Sequence, residues 1–113
     1  MLPKSHRLRN ANEFTSVIKF RCAENSEFLQ IFAKPNNLLH SRLGLVVAGK
    51  VERLAVKRNR VKRVLRAVFS EQQQDVVGLD LVIRLRRPVA RRDSSRVRDE
   101  FKILLIKLQR CCG

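Results

Sequence analysis

Hydrophobic residues recur at helical spacing through the middle of the chain. Four of them stand at i, i+3, i+4 and i+7, namely Val61, Val64, Leu65 and Val68. Successive residues of an α-helix turn by about 100°, so these four share one side. The opposite side is cationic and polar, with Arg58, Asn59, Lys62, Arg63 and Arg66. We therefore predict an amphipathic helix that follows a connection over 49–55, ends near Gln74 and buries one face in a core.

The segments on either side of this helix predict two further helices and three strands. Asn10 and Glu13 have the spacing of a capping box, which predicts a helix running to about Phe20, followed by a loop over 23–26. Alternation of apolar and polar residues predicts strands over 27–34, 42–48 and 79–86. Ser94 or Ser95 can cap a last helix. The order α-β-β-α-β-α predicts an α/β (α+β) two-layer sandwich, with three helices on a small mixed sheet and room for an extra short strand.

Two of the predicted strands carry features beyond a plain apolar face. One face of the first strand comprises Phe28, Gln30, Phe32 and Lys34. Half-exposed aromatic side chains beside an amide and a cation suit the stacking of nucleic-acid bases. The alternative is that both phenylalanines pack under a helix, and the pattern leaves both interpretations open. In the second strand, Gly44 predicts a close backbone approach or a bulge.

The cations of the central helix have no local compensation. The chain has 113 residues and a formal net charge of +15. We expect one domain over 1–113, with a mobile basic N-terminus over 1–9. Arg58, Lys62 and Arg66 repeat one charge at i+4 steps, which opposes helix formation in the free protein. A polyanion would relieve this repulsion, and the planar fork of arginine suits phosphate. The alternative is a solvated polar face without a ligand.

The composition disfavours several other functional classes. No apolar run approaches the roughly 20 residues of a membrane-spanning helix, and we expect no signal peptide. The three cysteines and two histidines match no zinc spacing, so we expect reduced thiols in a cytoplasmic protein. The ten acids offer no carboxylate pair typical of a metal-dependent nuclease, and no phosphate-binding glycine loop occurs. The sequence thus predicts RNA or DNA binding, with no metal site and no catalytic residue.

Several stretches of the sequence match a known pattern. They read L-P-K-S-H-R-L-R-N (2–10), E-F-T-S-V (13–17), R-L-G-L-V-V (42–47), A-V-K-R-N-R-V-K-R-V-L-R (55–66) and D-L-V-I-R-L-R-R-P (80–88). The fourth is the most specific, because arginine, asparagine and lysine recur in it at fixed offsets. With these motifs the chain resembles, over nearly its whole length, the protein component of bacterial ribonuclease P.

This resemblance implies a fold, an activity and partners. The fold is an α/β sandwich whose β–α–β crossover around the central helix is left-handed, against the usual rule. The protein pairs with the ribonuclease P catalytic RNA, and together they act as an endoribonuclease that removes the 5′ leader of precursor tRNA. The resemblance places Mg²⁺ mainly in the RNA subunit. It implies no organic cofactor, no membrane, no obligate protein partner and no catalytic residue in the protein.

The resemblance also carries over individual residues. It assigns binding of the catalytic RNA to Lys57, Arg58, Asn59, Arg60, Lys62, Arg63 and Arg66. It assigns a leader-binding cleft to Phe14, Ile18, Phe32, Lys34 and Lys50. Some positions depart from the family pattern: Ile18 stands where a second aromatic residue is common, Ala48 and Gly49 replace a usual serine and lysine, and Ala67 replaces a frequent acid. The alternatives are a structural RNA-binding protein such as a ribosomal protein, and a helix-turn-helix DNA binder.

Overall fold

The computed structural model describes residues 4–73 and 76–112 of the chain. Three helices run over Ala11–Lys19 (α1), Ala55–Gln72 (α2) and Ser94–Cys112 (α3). Four strands run over Cys22–Asn25 (β1), Leu29–Pro35 (β2), Arg42–Val46 (β3) and Leu79–Leu85 (β4), and 3₁₀ turns cover Lys4–His6 and Arg91–Asp93. The predicted α+β class and order of elements are confirmed, with β1 as the extra short strand. Helix α2 ends at Gln72, and the predicted end at Gln74 lies outside the described residues.

The four strands form one mixed sheet in the order β1–β2–β4–β3. Strand β2 is antiparallel to both β1 and β4, whereas β3 and β4 are parallel. Parallel neighbours need a crossover connection, and α2 supplies it. The ends of β3 and β4 therefore lie at the same edge of the sheet, which we call the carboxyl edge. The opposite edge, where β3 and β4 begin, is the amino edge. The left-handed sense of the crossover stays a prediction.

Helices α2 and α3 cover one face of the sheet and form the main core with it. The strands contribute Leu29, Ile31, Ala33, Leu43, Leu81, Ile83 and Leu85, and the helices contribute Val61, Leu65, Val68, Phe69, Val97, Phe101, Leu104, Leu105 and Leu108. The predicted apolar arc of the central helix is confirmed, because Val61, Leu65 and Val68 are at most 2% exposed. Burying each large aliphatic side chain contributes about 1.5–3 kcal/mol, so this arc fixes α2 against the sheet.

Helix α1 covers part of the opposite face, which adds a partial third layer to the two that the sequence predicted. The residues packed there are Leu8, Phe14, Val17, Phe32, Val46 and Val82. Val17 is 1% exposed, and Val82 beneath it is fully buried. Helix α1 has nine residues and spans part of this face, and Arg84, on the part beyond the helix, is exposed.

Residues 7 and 8 of the basic N-terminal segment pair with the sheet, within the stretch 1–9 for which mobility was predicted from the sequence. The backbone N–H of Leu8 donates to Leu43 O at 3.0 Å, and Arg7 forms a parallel bridge with Leu43. The Leu8 side chain is 6% exposed beneath α1. Burial of this apolar side chain, together with the backbone bond, holds Leu8 against β3. Residues 1–3 lie outside the described part of the chain.

Strand β1 lies where the sequence predicted a loop over 23–26. It pairs with β2 along its whole length, yet only Cys22 among its residues is buried. An edge strand of this kind is held by backbone hydrogen bonds along one side. Backbone hydrogen bonds leave no apolar–polar alternation in the sequence. The strand could therefore not be predicted from the hydrophobic pattern.

Phe28 belongs to the main core and not to the sheet face that holds Phe32. Strand β2 begins at Leu29, one residue after Phe28. The Phe28 side chain is 4% exposed, and the guanidinium carbons of Arg87 and Arg96 lie 5.9 and 5.6 Å from its ring centroid. The prediction that Phe28 and Phe32 share one strand face is therefore wrong, because Phe28 precedes the strand.

Candidate nucleic-acid interface

The outer side of α2 presents the cations of the central motif. Lys57, Asn59 and Arg63 are exposed, whereas Lys62 and Arg66 are half-buried. Within the described part of the chain, no ion pair neutralises Lys57, Lys62 or Arg63. These positive charges therefore stay available to a polyanion.

Two arginines of the motif are partly engaged by backbone carbonyls. Arg58 Nη1 donates to Glu52 O at 3.0 Å and to Arg53 O at 2.9 Å, which ties the β3–α2 loop to the first turn of the helix. Arg60 Nη2 donates to Val89 O at 2.7 Å, which ties the helix to the β4–α3 loop. A guanidinium has five N–H donors, so both arginines keep donors for a ligand. Each of these two arginines therefore holds a loop in place, and their contact with RNA stays a prediction.

Lys62 and Arg66 line a groove between α2, β3 and α1, which we call the α1–α2 groove. Its volume is about 160 Å³, and its other lining residues are Arg7, Leu8, Phe14, Leu43, Gly44 and Leu45. The family resemblance assigned Lys62 and Arg66 to the catalytic RNA and Phe14 to the leader cleft. The structure places all three on one concave surface, so two cations and an aromatic ring share a site.

The ring of Phe14 lies directly on β3 at Gly44. A Cβ atom on Gly44 would stand 2.6 Å from Phe14 Cζ and 2.7 Å from Cε2, well inside contact distance. The strand register places Gly44, Val82 and Phe32 in one row across three strands. Ile18, four residues after Phe14 and on the same side of α1, is 38% exposed. The predicted close approach at Gly44 is therefore confirmed, and it seats the aromatic ring on the sheet.

The two remaining cleft cations lie at opposite edges of the sheet. Lys34 is half-buried at the amino edge, where its Nζ donates to Ser16 Oγ at 2.5 Å. Lys50 is exposed in the β3–α2 loop, beyond the carboxyl edge. Because β2 and β3 run in opposite directions, residues near their carboxyl ends cannot meet. The structure thus gathers Phe14 and Phe32 but leaves Lys50 apart from Lys34.

Arg42, which sequence reasoning did not single out, anchors α1 to the amino edge. Its guanidinium donates to Asp80 Oδ1 at 2.8 Å, to Asp80 Oδ2 at 2.6 Å and to Glu13 Oε2 at 2.9 Å. Asp80 is 6% exposed and also accepts from Asn36 Nδ2 at 2.8 Å. The hydrogen bond to Asp80 raises the pKa of Arg42. A bidentate pair of this kind fixes geometry, so the start of α1 is held in place on the sheet.

Glu13 joins this anchor to the helix cap. Asn10 Oδ1 accepts from Glu13 N at 2.9 Å, and Glu13 Oε1 accepts from Asn10 N at 3.3 Å, which confirms the predicted capping box. Glu13 Oε1 also accepts from Arg9 N at 2.7 Å. This bond from the Arg9 backbone lowers the pKa of the Glu13 carboxyl, burial opposes it, and Arg42 adds to the lowering.

We expect Glu13 to stabilise the fold only while its carboxyl is ionised. Its pKa is lower in the folded chain than in the unfolded one, so the contribution is present above the ordinary value of about 4.3 and is lost as pH falls through the folded pKa. The free energy of unfolding should therefore fall more steeply between about pH 5 and pH 3 for the wild type than for Glu13→Gln. Urea unfolding at a series of pH values measures both slopes, and parallel slopes would contradict this role.

Other kinds of site are not formed by the part of the chain that the structure describes. No three His, Cys, Asp or Glu side chains there come together in a way that fits a metal ion. His6 and His40 stack with ring centroids 4.4 Å apart, and each ring also has a hydrogen-bonded nitrogen. None of the described helices has the length and apolarity needed to cross a bilayer.

Comparison with known proteins finds relatives over nearly the whole chain. A model of the ribonuclease P family matches residues 2–109. The ribonuclease P protein component of Nitrosomonas europaea is 42% identical over 109 residues, covering 96% of this chain and 92% of the relative. That of Nitrosomonas eutropha is 46% identical over 111 residues, with the same coverage of both chains.

Solved structures of such proteins share the fold. The Staphylococcus aureus RNase P protein, solved as a mutant with defective mRNA degradation activity, is 22% identical and superposes with a TM-score of 0.83, covering 94% of this chain and 90% of its own. The Thermotoga maritima RNase P protein is 28% identical with a TM-score of 0.72, covering 88% and 94%. The family prediction is confirmed. The chain therefore belongs to the ribonuclease P family, as a protein subunit of this RNA-containing endoribonuclease of tRNA processing.

Proposed function

We propose that this subunit, acting as one RNA-binding domain over 1–113, binds the catalytic RNA with one surface and the 5′ leader of precursor tRNA with another. The holoenzyme then removes the leader hydrolytically in the cytoplasm and leaves the mature tRNA 5′ end. In this proposal the RNA subunit holds most of the Mg²⁺, and no organic cofactor takes part. The observation that supports the proposal most is that Phe14, Lys62 and Arg66 line one groove.

The α1–α2 groove has the chemistry of a site for single-stranded RNA. The half-buried Phe14 ring rests on β3 at Gly44, so a base that stacks on its accessible part meets a rigid support. Stacking on an aromatic ring accepts any base, because every base has a π-face. Lys62 and Arg66 add positive charge at the same surface for the flanking phosphates. The small groove suits a single strand, and the leader of precursor tRNA is such a strand.

The exposed part of the motif helix is the surface proposed for the catalytic RNA. Lys57 and Arg63 carry charges that no described acid pairs with, so they attract the phosphate backbone. Asn59 stands between them without charge, and its amide can both donate to and accept from a base edge or a ribose. Arg58 and Arg60 hold the adjoining loops in place and keep spare donors for the same RNA.

The rival functions fit the structure less well. A helix-turn-helix DNA binder needs a helix directly before its reading helix, but a strand and a loop precede α2. A ribosomal protein shares the charge and size of this chain. The family match over residues 2–109 and the groove around Phe14 favour the ribonuclease P subunit instead.

Reconstitution tests the proposed function. The described side chains form no carboxylate or histidine cluster that fits a catalytic metal. We therefore expect the purified protein to leave precursor tRNA intact at every Mg²⁺ concentration. Adding it to the ribonuclease P RNA should enable 5′ cleavage at low Mg²⁺, because protein cations replace part of the ionic screening that the RNA complex needs. Mapping the 5′ ends of the products measures both results. Correct cleavage by nuclease-free protein alone, or no gain over the RNA alone, would overturn the proposal.

A further inference from the structure

The loop between β4 and α3 carries a second cluster of arginines. Residues 86–93 hold four arginines, and the two at its start are hydrogen-bonded to the turn between β1 and β2. The other two, Arg91 and Arg92, are exposed, and within the described residues their side chains have neither a hydrogen bond nor an ion pair. Asp93, the one acid of this loop, is hydrogen-bonded to the loop's own backbone. Two cations of the loop are therefore free to meet an external anion.

This loop is fastened to the motif helix. Arg60 Nη2 donates to Val89 O at 2.7 Å, and Val89 is 3% exposed within the main core. The loop is thus held both by a hydrogen bond from α2 and by a buried side chain. Arg91 and Arg92 follow Val89 by two and three residues, on a 3₁₀ turn that begins at Arg91. Their positions relative to the motif helix are therefore fixed by the fold.

The sheet topology brings this loop to the same edge as the start of the motif helix. Strands β3 and β4 are parallel, so the loops that follow them both leave the carboxyl edge. The first of these loops carries Lys50 and leads into α2 at Ala55, and the second carries Arg91 and Arg92. Lys34, in contrast, lies at the amino edge. The carboxyl edge therefore joins cations of two loops and one helix into one basic surface.

We propose that Arg91 and Arg92 form a second contact with the catalytic RNA, continuous with the first turns of α2. This inference rests on the proposed function. Planar guanidinium groups suit the phosphate oxygens of an RNA backbone, and two of them side by side suit successive phosphates. The catalytic RNA is the occupant, because the surface continues from the motif helix at Arg60, whereas the α1–α2 groove is a separate, smaller site. Arg60 is the positioning residue that holds this contact to the helix.

The salt dependence of binding tests the contact. The variant Arg91→Ala with Arg92→Ala removes both charges from exposed positions, where substitutions change stability little. Each duplex phosphate contact contributes about 0.9 to the slope of log affinity against log salt, so the slope for the catalytic RNA should flatten by about one to two units. The matched control, Lys102→Ala with Lys107→Ala, removes the same charge from exposed positions of α3. It should leave the slope close to the wild-type value.

Each outcome separates this inference from the proposed function. If both double variants flatten the slope equally, or if neither does, Arg91 and Arg92 make no local contact and the inference fails. If the arginine variant lowers the affinity of the holoenzyme for the leader instead, the surface binds substrate and the inference is wrong. The wild-type holoenzyme is assayed for precursor tRNA cleavage in the same preparation. If the wild-type holoenzyme cleaves precursor tRNA and the arginine variant keeps the wild-type salt slope, only the second contact is rejected. If the wild-type holoenzyme does not cleave precursor tRNA, the proposed function is rejected as well.

Discussion

Adding one methyl group at Gly44 is expected to displace the Phe14 ring and to weaken binding of the leader. The new Cβ would stand 2.6 Å from Phe14 Cζ and 3.1 Å from Leu8 Cδ1, so at least one of these side chains must move. Both pack with Val17 in the small core beneath α1, which leaves the ring little room to shift. Overpacking of this kind costs about 1–3 kcal/mol. We expect Gly44→Ala to lower the free energy of unfolding by that amount and to reduce holoenzyme affinity for precursor tRNA.

Gly49 provides the matched control for this substitution. Among the described residues, a Cβ atom on Gly49 would meet Arg58 Nη1 alone, at the ordinary contact distance of 3.8 Å. Gly49→Ala should therefore be neutral or stabilise by up to about 1 kcal/mol, because alanine narrows the unfolded ensemble. Urea unfolding and equilibrium binding of precursor tRNA measure the pair. Equal stability of the two alanine variants, with wild-type leader affinity in both, would show that the Phe14 ring does not depend on Gly44.

Removing both cations of the α1–α2 groove should weaken precursor tRNA binding selectively. Lys62→Ala with Arg66→Ala leaves the Phe14 ring in place but takes away the charges that would face the leader phosphates. A hydrogen bond to a charged group contributes roughly 1.5 kcal/mol, and less where solvent reaches it. We therefore expect the affinity of the holoenzyme for leader-bearing tRNA to fall about 10- to 100-fold. Affinity for mature tRNA, measured at the same salt concentration and saturating protein, should change little.

The central helix was predictable because its signals are local. Its apolar arc repeats at helical spacing, and Val61, Leu65 and Val68 are buried as that spacing predicts. The capping box at Asn10 was predictable for the same reason, since both partners lie within one turn. Alternation also placed Phe32 on the face opposite the main core, although it wrongly grouped Phe28 with it.

The remaining features depend on contacts between distant parts of the chain. Arg42 lies 29 residues from Glu13 and 38 residues from Asp80, so no window of sequence shows that they meet. A helical wheel gives the direction in which the Arg60 side chain points, but it does not show which loop lies there. Val89, whose carbonyl accepts from Arg60, lies in the loop after β4. The grouping of Phe14 with Lys62 and Arg66 likewise depends on where α1 lies across the sheet. These long-range placements assemble the predicted residues into a groove and a basic edge of the sheet.

The dependence of holoenzyme affinity on leader length shows whether the leader lies in the α1–α2 groove. Mature tRNA and precursor tRNAs with a short or a long leader are bound to two holoenzymes, one with the wild-type protein and one with Lys62→Ala with Arg66→Ala. Lys102→Ala with Lys107→Ala serves as the charge-matched control. In the wild type and in the control, we expect affinity to rise with leader length until the α1–α2 groove is filled. In the groove variant, affinity should stay nearly flat. A parallel rise in all three holoenzymes would show that the leader binds elsewhere and that the α1–α2 groove is not its site.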